Sequence, residues 1–167
     1  TLASLNPQSQ SISQGLDVTL RVYGQNFVRS GSVVRWNGQL RSTTWVSPTQ
    51  LDAAIPHSDL DTAGTARVTV LATIAGTTRE SAAASFEIRN PQPATVNSFP
   101  YNLLVGINNQ RVTITGYGFL RGVTTATVNG RQVYPAVESF STLSVSLNTS
   151  DVDSLGTVRV EVTNPPP

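Results

Sequence analysis

The sequence predicts an all-β protein made of two tandem β-sandwiches, the second short of its last strand. Three observations carry that prediction. Short alternating apolar runs are broken by turn residues every eight to twelve positions or so (about the spacing of sandwich strands). No stretch sustains a helical period. Residues 23–70 also recur without a gap at 115–162, an offset of 92 residues, so one structural unit is used twice.

The repeat can be read position by position. Gly24 and Phe27 fall on Gly116 and Phe119, Asn37-Gly38 on Asn129-Gly130, and Leu51 on Leu143. Ser58, Asp59, Asp61, Gly64, Thr65, Arg67, Val68 and Val70 then match Ser150, Asp151, Asp153, Gly156, Thr157, Arg159, Val160 and Val162. These are turn glycines, a hairpin dipeptide, core apolars and a capping segment, the parts a fold needs. Reactive residue types are scarce among them.

Each strand of the first unit has its own justification. Val18, Leu20 and Val22 share one face, with Thr19 and Arg21 on the other. Val34 and Trp36 share a face in the next strand, and Asn37-Gly38 supplies the residues a type I′ hairpin demands. Leu51, Ala53 and Ile55 alternate until Pro56, which cannot donate to a ladder. Ala66, Val68 and Val70 carry the next strand, Ala75-Gly76-Thr77 turns it, and Ala84, Phe86 and Ile88 form the last. The second unit follows with Val112 and Ile114, Ala126 and Val128, Leu143, Val145 and Leu147, and Val158, Val160 and Val162. It then ends at Asn164-Pro165-Pro166-Pro167, without a counterpart of Ser85 to Arg89. The edge from Val158 to Thr163 is expected to present unpaired backbone groups, with truncation as its plain explanation. The boundary is placed in Asn90-Pro91-Gln92-Pro93, giving domains 1–91 and 92–167. Two prolines make that joint semi-rigid, with few contacts expected between the domains.

Composition excludes several classes. Charged residues make up 13% of the chain, and eleven Arg against ten acids leave a net charge of +1. The Arg residues are scattered, so no basic face exists to neutralise phosphates and nucleic acid is not an expected partner. No apolar run approaches the roughly 20 residues needed to cross a bilayer. Without Cys there is neither a disulfide framework nor a thiolate metal site. Without Met, even at position 1, the chain reads as a piece of a longer polypeptide with any signal sequence outside it.

Taken together, the pattern resembles the IPT/TIG immunoglobulin-like domain. The first unit reads Leu5-Asn6-Pro7, Val22-Tyr23-Gly24-Gln25-Asn26-Phe27, Trp36-Asn37-Gly38, Ile55-Pro56, Ser58-Asp59-Leu60 and Gly64 to Val70. The second reads Phe99-Pro100, Gly116-Tyr117-Gly118-Phe119, Val128-Asn129-Gly130, Ser150-Asp151-Val152 and Gly156 to Val160, departing at Asn148 where the pattern expects the proline seen at Pro56. The resemblance implies two early-set immunoglobulin-like sandwiches of the kind found in tandem in bacterial surface and secreted proteins. It implies no catalytic residue and no cofactor.

Four groups of residues invite a functional reading. Asp59 with Asp61, and Asp151 with Asp153, resemble the opening of a calcium loop, although neither copy has the further acidic ligands such a loop needs. The structural alternative is a single helical turn capped by Ser58 or Asp59, with Leu60 inward and Gly64 in a left-handed exit. His57, Ser58 and Asp59 are consecutive and cannot converge as a nucleophile, base and orienter. Among the aromatics, Trp36 reads as core, whereas Trp45 and Tyr101 are the candidates for a ligand-facing platform. Phe27 and Phe119 read as core plugs beside Gly24 and Gly116, and Arg67 and Arg159 as outward residues able to pair with Asp59 and Asp151.

The expected function is therefore a non-enzymatic spacer and protein-interaction module of a larger bacterial extracellular or cell-surface protein. Its partners would be neighbouring domains of the same polypeptide and a protein or glycan at the cell surface. The alternative is a carbohydrate-binding accessory region of a secreted polysaccharide-acting enzyme.

Overall fold

A computed structural model describes residues 1–12 and 14–167 as two compact units, residues 1–89 with Pro167 and residues 90–166. In the first unit, β1 (Leu2–Asn6), β3 (Val18–Gly24), β7 (Gln50–Ile55) and β6 (Thr43–Ser47) form an antiparallel sheet in the order β1-β3-β7-β6. The second sheet runs β2 (Ser9–Ser11), β10 (Ala84–Arg89), β8 (Gly64–Ile74), β4 (Ser32–Trp36) and β5 (Gln39–Leu40), with β9 (Thr77–Glu80) also paired to β8. Among the described residues, only the β2–β10 pairing in this unit is parallel.

The inward faces are those the alternation predicts. Leu20, Val22, Val34, Trp36, Leu51, Ala53 and Ile55 are buried, and Trp36 packs against Phe86 with ring centroids 5.1 Å apart. Asn37 and Gly38 both take positive φ, 47° and 83°, as a type I′ turn requires. The Asn side chain does more than tolerate the turn. Its Oδ1 accepts the Arg67 N–H at 2.7 Å while the Asn37 backbone N–H donates to the Arg67 carbonyl at 2.8 Å, tying the β4–β5 hairpin to β8.

The second unit repeats this arrangement. β11 (Ala94–Phe99), β12 (Gln110–Tyr117), β16 (Thr142–Leu147) and β15 (Ala136–Ser139) form one sheet in the order β11-β12-β16-β15. β14 (Arg131–Val133), β13 (Thr125–Val128) and β17 (Val160–Thr163) form the other. Val22 opposite Leu51 becomes Ile114 opposite Leu143, and Trp36 opposite Val68 becomes Val128 opposite Val160. Asn129 repeats the bracing of Asn37 by accepting the Arg159 N–H at 2.9 Å.

Two expectations are corrected here. The last strand begins at Val160, not Val158, whereas the corresponding strand of the first unit already starts at Gly64. The reason is pairing: β10 bonds to residues 64–68, and no strand of the second unit lies along 156–159. Gly64 is also not a left-handed exit. It opens β8 with φ 153°, and Gly156 has no positive φ.

Gly24 and Gly116 serve close approach rather than an unusual φ. A β-carbon on Gly24 would lie 2.0 Å from the Thr1 carbonyl oxygen, and one on Gly116 would lie 2.0 Å from that of Ala94. Phe27 and Phe119 are buried against these glycines, as core plugs.

Candidate functional site

The acidic turns are held by arginines. His57–Asp59 and Thr149–Asp151 are each a single 3-10 turn with Leu60 and Val152 buried just after it. Neither Ser58 nor Asp59 caps the first turn, because Asp59 is engaged elsewhere: Arg41 grips its two carboxylate oxygens at 2.5 and 2.7 Å. Asp151 is 7% exposed, takes both Nε and Nη2 of Arg131, and accepts the Asn148 backbone N–H at 2.7 Å. Pro56, which stands where Asn148 does, has no such N–H to give. Arg67 and Arg159 pair with Glu80 and Glu161 rather than with these aspartates. Arg41 and Arg131 are not equivalent under the 92-residue offset; they lie two residues apart along the same hairpin arm and therefore project to the same side.

Asp61 and Asp153 are exposed beside these turns, and a cation at either aspartate pair would have to displace a guanidinium. Among the described residues, no three His, Asp or Glu side chains converge as a metal ion would require. His57 is exposed; its backbone N–H and ring both meet Asp17, at 2.9 and 3.2 Å. The backbone hydrogen bond, then the ring, holds the Asp17 carboxyl below its ordinary value.

The aromatic candidates separate. Trp36 is core. Trp45 is half-buried, donates its indole N–H to the Phe27 carbonyl at 3.1 Å, and carries the Arg29 guanidinium 5.9 Å from its ring. Tyr101 is 73% exposed, but it meets Phe99 edge-on at 88°, so the two rings do not make one flat face.

One opening, in the second unit, was outlined in the sequence only as an edge. A groove of about 690 Å³ enters the second unit between residues 95–105 and residues 152–160, and its floor is Val112, Ile114, Val152 and Val160. Leu103 and Val158 lean against the same core from the rim. Val96, Phe99, Tyr101, Leu104 and Val105 are exposed around or beside it, as is Leu155 at 93%. In the first unit, Phe86 and Ile88 of β10 occupy the corresponding place and are buried. A signal was present: the run Tyr101-Asn102-Leu103-Leu104-Val105 is apolar where the first unit has Ser9-Gln10-Ser11 in a strand paired to β10.

Among the described residues no helix is long and apolar enough to cross a membrane. No curated protein sequence matches the chain. Among solved structures, it is similar to the plexin A4 extracellular region, domains 1 to 10, at a TM-score of 0.40 and 18% identity, over 93% of this chain and 13% of that one. A second plexin A4 extracellular structure, with domains 1 to 8, matches at a TM-score of 0.40 and 14% identity, over 98% of this chain and 16% of that one. The chain thus spans less than a fifth of either plexin chain. The IPT/TIG domain family matches residues 1–88, over half of the length, and the chain accordingly belongs to that family of non-enzymatic immunoglobulin-like modules.

Proposed function

We propose that the chain is a non-enzymatic spacer and protein-interaction segment of a larger bacterial extracellular or cell-surface protein, with both units IPT/TIG domains in tandem. The observation that carries this reading is what the repeat spends its ionisable groups on. Asp59 and Asp151 recur at the same position and both lock a turn through an arginine from the neighbouring hairpin arm. A second copy of the framework is thereby kept, and a second copy of a reactive constellation is not. A Lys-free composition with a proline-bearing joint fits an extracellular array.

Antibody against the chain should label intact source cells, and mild external protease should release the epitope. Signal only after lysis defeats the surface assignment. Turnover of an ester or polysaccharide panel above the buffer rate, abolished by His57→Ala, would defeat the non-enzymatic one. The carbohydrate-binding alternative rests on exposed Tyr101 and half-buried Trp45. Glycan binding lost in Tyr101→Ala or Trp45→Ala would favour it over the spacer reading.

A further inference from the structure

We propose that Asn90 and Asn164 form a reciprocal clasp that straps residues 90–93 onto the second unit. The order of this strap then depends on the end of β17 being in place, and not on the strap's prolines. This goes beyond the spacer reading and does not rest on it.

The clasp is an exchange between two Asn-Pro pairs. Asn164 Nδ2 donates to the Pro91 carbonyl at 2.7 Å, and Asn90 Nδ2 donates to the Pro165 carbonyl at 2.7 Å. Each asparagine thus serves the proline carbonyl of the other pair. The sequence carries a matching signature outside the 92-residue register: residues 87–93 and 161–167 both read Glu-x-x-Asn-Pro-x-Pro.

Asn164 is the stronger half, because none of its polar atoms is idle. It is 8% exposed, and a side-chain amide has two hydrogens to donate and an oxygen to accept with. The nitrogen donates to Pro91 and also to the Gly118 carbonyl at 2.8 Å, while Oδ1 accepts the Thr124 hydroxyl at 2.7 Å. Thr124 Oγ1 in turn accepts the Leu120 N–H at 2.6 Å. Gly118 lets the strap cross closely. It has φ 81°, and a β-carbon on it would lie 3.2 Å from the Gln92 carbonyl oxygen and 3.4 Å from the Pro93 Cα.

The first unit separates frame from addition. Thr124 falls on Ser32 under the 92-residue offset, and the Ser32 hydroxyl accepts the Val28 N–H at 2.9 Å in the same way. Asn164 falls on Ala72, which has no polar side chain. The hydroxyl therefore belongs to the repeated frame, and the asparagine is added where the connecting segment crosses. On the other side, Arg89 still lies in β10 and its carbonyl accepts the Ile12 N–H at 2.9 Å. With the clasp closed, freedom in the connection is confined to the backbone between Arg89 and Pro91. Local opening of residues 163–165 releases the whole run to Pro93.

The test is 15N relaxation on the full chain, read at Gln92, because the flanking Pro91 and Pro93 carry no N–H. In the unmodified chain Gln92 should have the order parameter of rigid backbone, about 0.85, as β12 and β16 do. Asn164→Ala should bring it below about 0.6 while β12 and β16 keep theirs. Asn164→Asp should do the same, since its carboxylate would face two carbonyls. Asn90→Ala, which leaves Asn164 in place, should lower Gln92 part of the way. The double variant Pro91→Ala with Pro93→Ala keeps the carbonyl at position 91 and should leave Gln92 ordered. A mobile Gln92 in the unmodified chain overturns the proposal, and so does a rigid one in Asn164→Ala. Loss of order in the proline variant equal to that in Asn164→Ala gives the stiffness to the prolines and overturns it too. Should Asn164→Ala also loosen β12 and β16, Asn90→Ala decides: unchanged order at Gln92 there ends the idea.

Discussion

The two units share strand order and register through the matched span, yet they close their cores by different means. In the first, β10 inserts between two strands and drives Phe86 against Trp36, so the sandwich is sealed on that side. In the second, the same flanks stand apart over an apolar groove, and β17, which forms one of them, is only four residues long. The difference teaches what each part of the repeat contributes. Hairpins, glycine contacts and the braced turn suffice to set topology, because both units have them. Sealing the core needs the final strand as well. Burying an apolar side chain contributes about 1.5–3 kcal/mol, so over these residues the second unit, without counterparts of Phe86 and Ile88, is expected to be the weaker of the two.

Both tryptophans lie in the first unit, so Trp fluorescence reports that unit alone, while amide exchange reports the second. The largest effect is expected for Phe86→Ala, which should cost the first unit about 3–5 kcal/mol through lost transfer and a cavity against Trp36. Its Trp-monitored denaturant midpoint should fall to that of the second unit or below. A midpoint that stays in place would break the claim that this strand is what separates them.

A second test asks whether the shared parts are truly equivalent. Gly24→Ala and Gly116→Ala each push a β-carbon to 2.0 Å from a carbonyl oxygen at the start of the unit, that of Thr1 just before β1 and that of Ala94 opening β11. Each should cost its own unit about 1–3 kcal/mol, as overpacking typically does. Similar losses by denaturant unfolding sharpen the comparison. A large loss in one unit alone means the two first strands are not held alike.

The braced turn should be less symmetric. Asp151→Asn leaves Arg131 and the Asn148 N–H without a buried carboxylate, whereas Asp59→Asn removes only the Arg41 pair at a more exposed position. Losing partners of a buried group costs about 1–3 kcal/mol, so the second unit should lose more than the first. Equal losses in a paired denaturation experiment would show that the Asn148 contact contributes nothing.

These tests also mark how far the sequence could be read. The alternation of Leu20 with Val22 and of Val34 with Trp36 fixes which face is inside, and Asn37-Gly38 can hardly be anything but a hairpin. The pairing of Asp59 and Asp151 could not be read the same way. Their arginines, Arg41 and Arg131, sit out of register in the repeat, and matching equivalent positions led instead to Arg67 and Arg159. An ion pair depends on which side of a strand projects toward a turn far away in sequence, and no local pattern encodes that. The groove was legible only as an edge, because its other wall, residues 101–103, lies outside the matched span. Its apolar character is plain only once the first unit's polar Ser9-Gln10-Ser11 is seen paired to β10.

The smallest effect concerns a carboxylate present only in the first unit. Glu80, on β9, accepts the Thr69 hydroxyl at 2.6 Å and lies 3.5 and 3.6 Å from Arg35 and Arg67. The hydroxyl first, then the two guanidinium charges, holds its carboxyl below the ordinary value of 4.5. A carboxyl whose pKa is lower folded than unfolded adds stability above the unfolded value and loses it as pH falls through the folded one. The Trp-monitored stability of the first unit should therefore decline below about pH 4.5, the ordinary value of such a group. Glu80→Gln should flatten part of that decline, not all of it, since Asp17 and Glu87 are lowered in the same direction within the same unit. The second unit, which has no β9, should keep its acid response unchanged in the variant. An acid profile of the first unit that is identical with and without Glu80 would mean the Thr69 contact is too solvated to couple to folding.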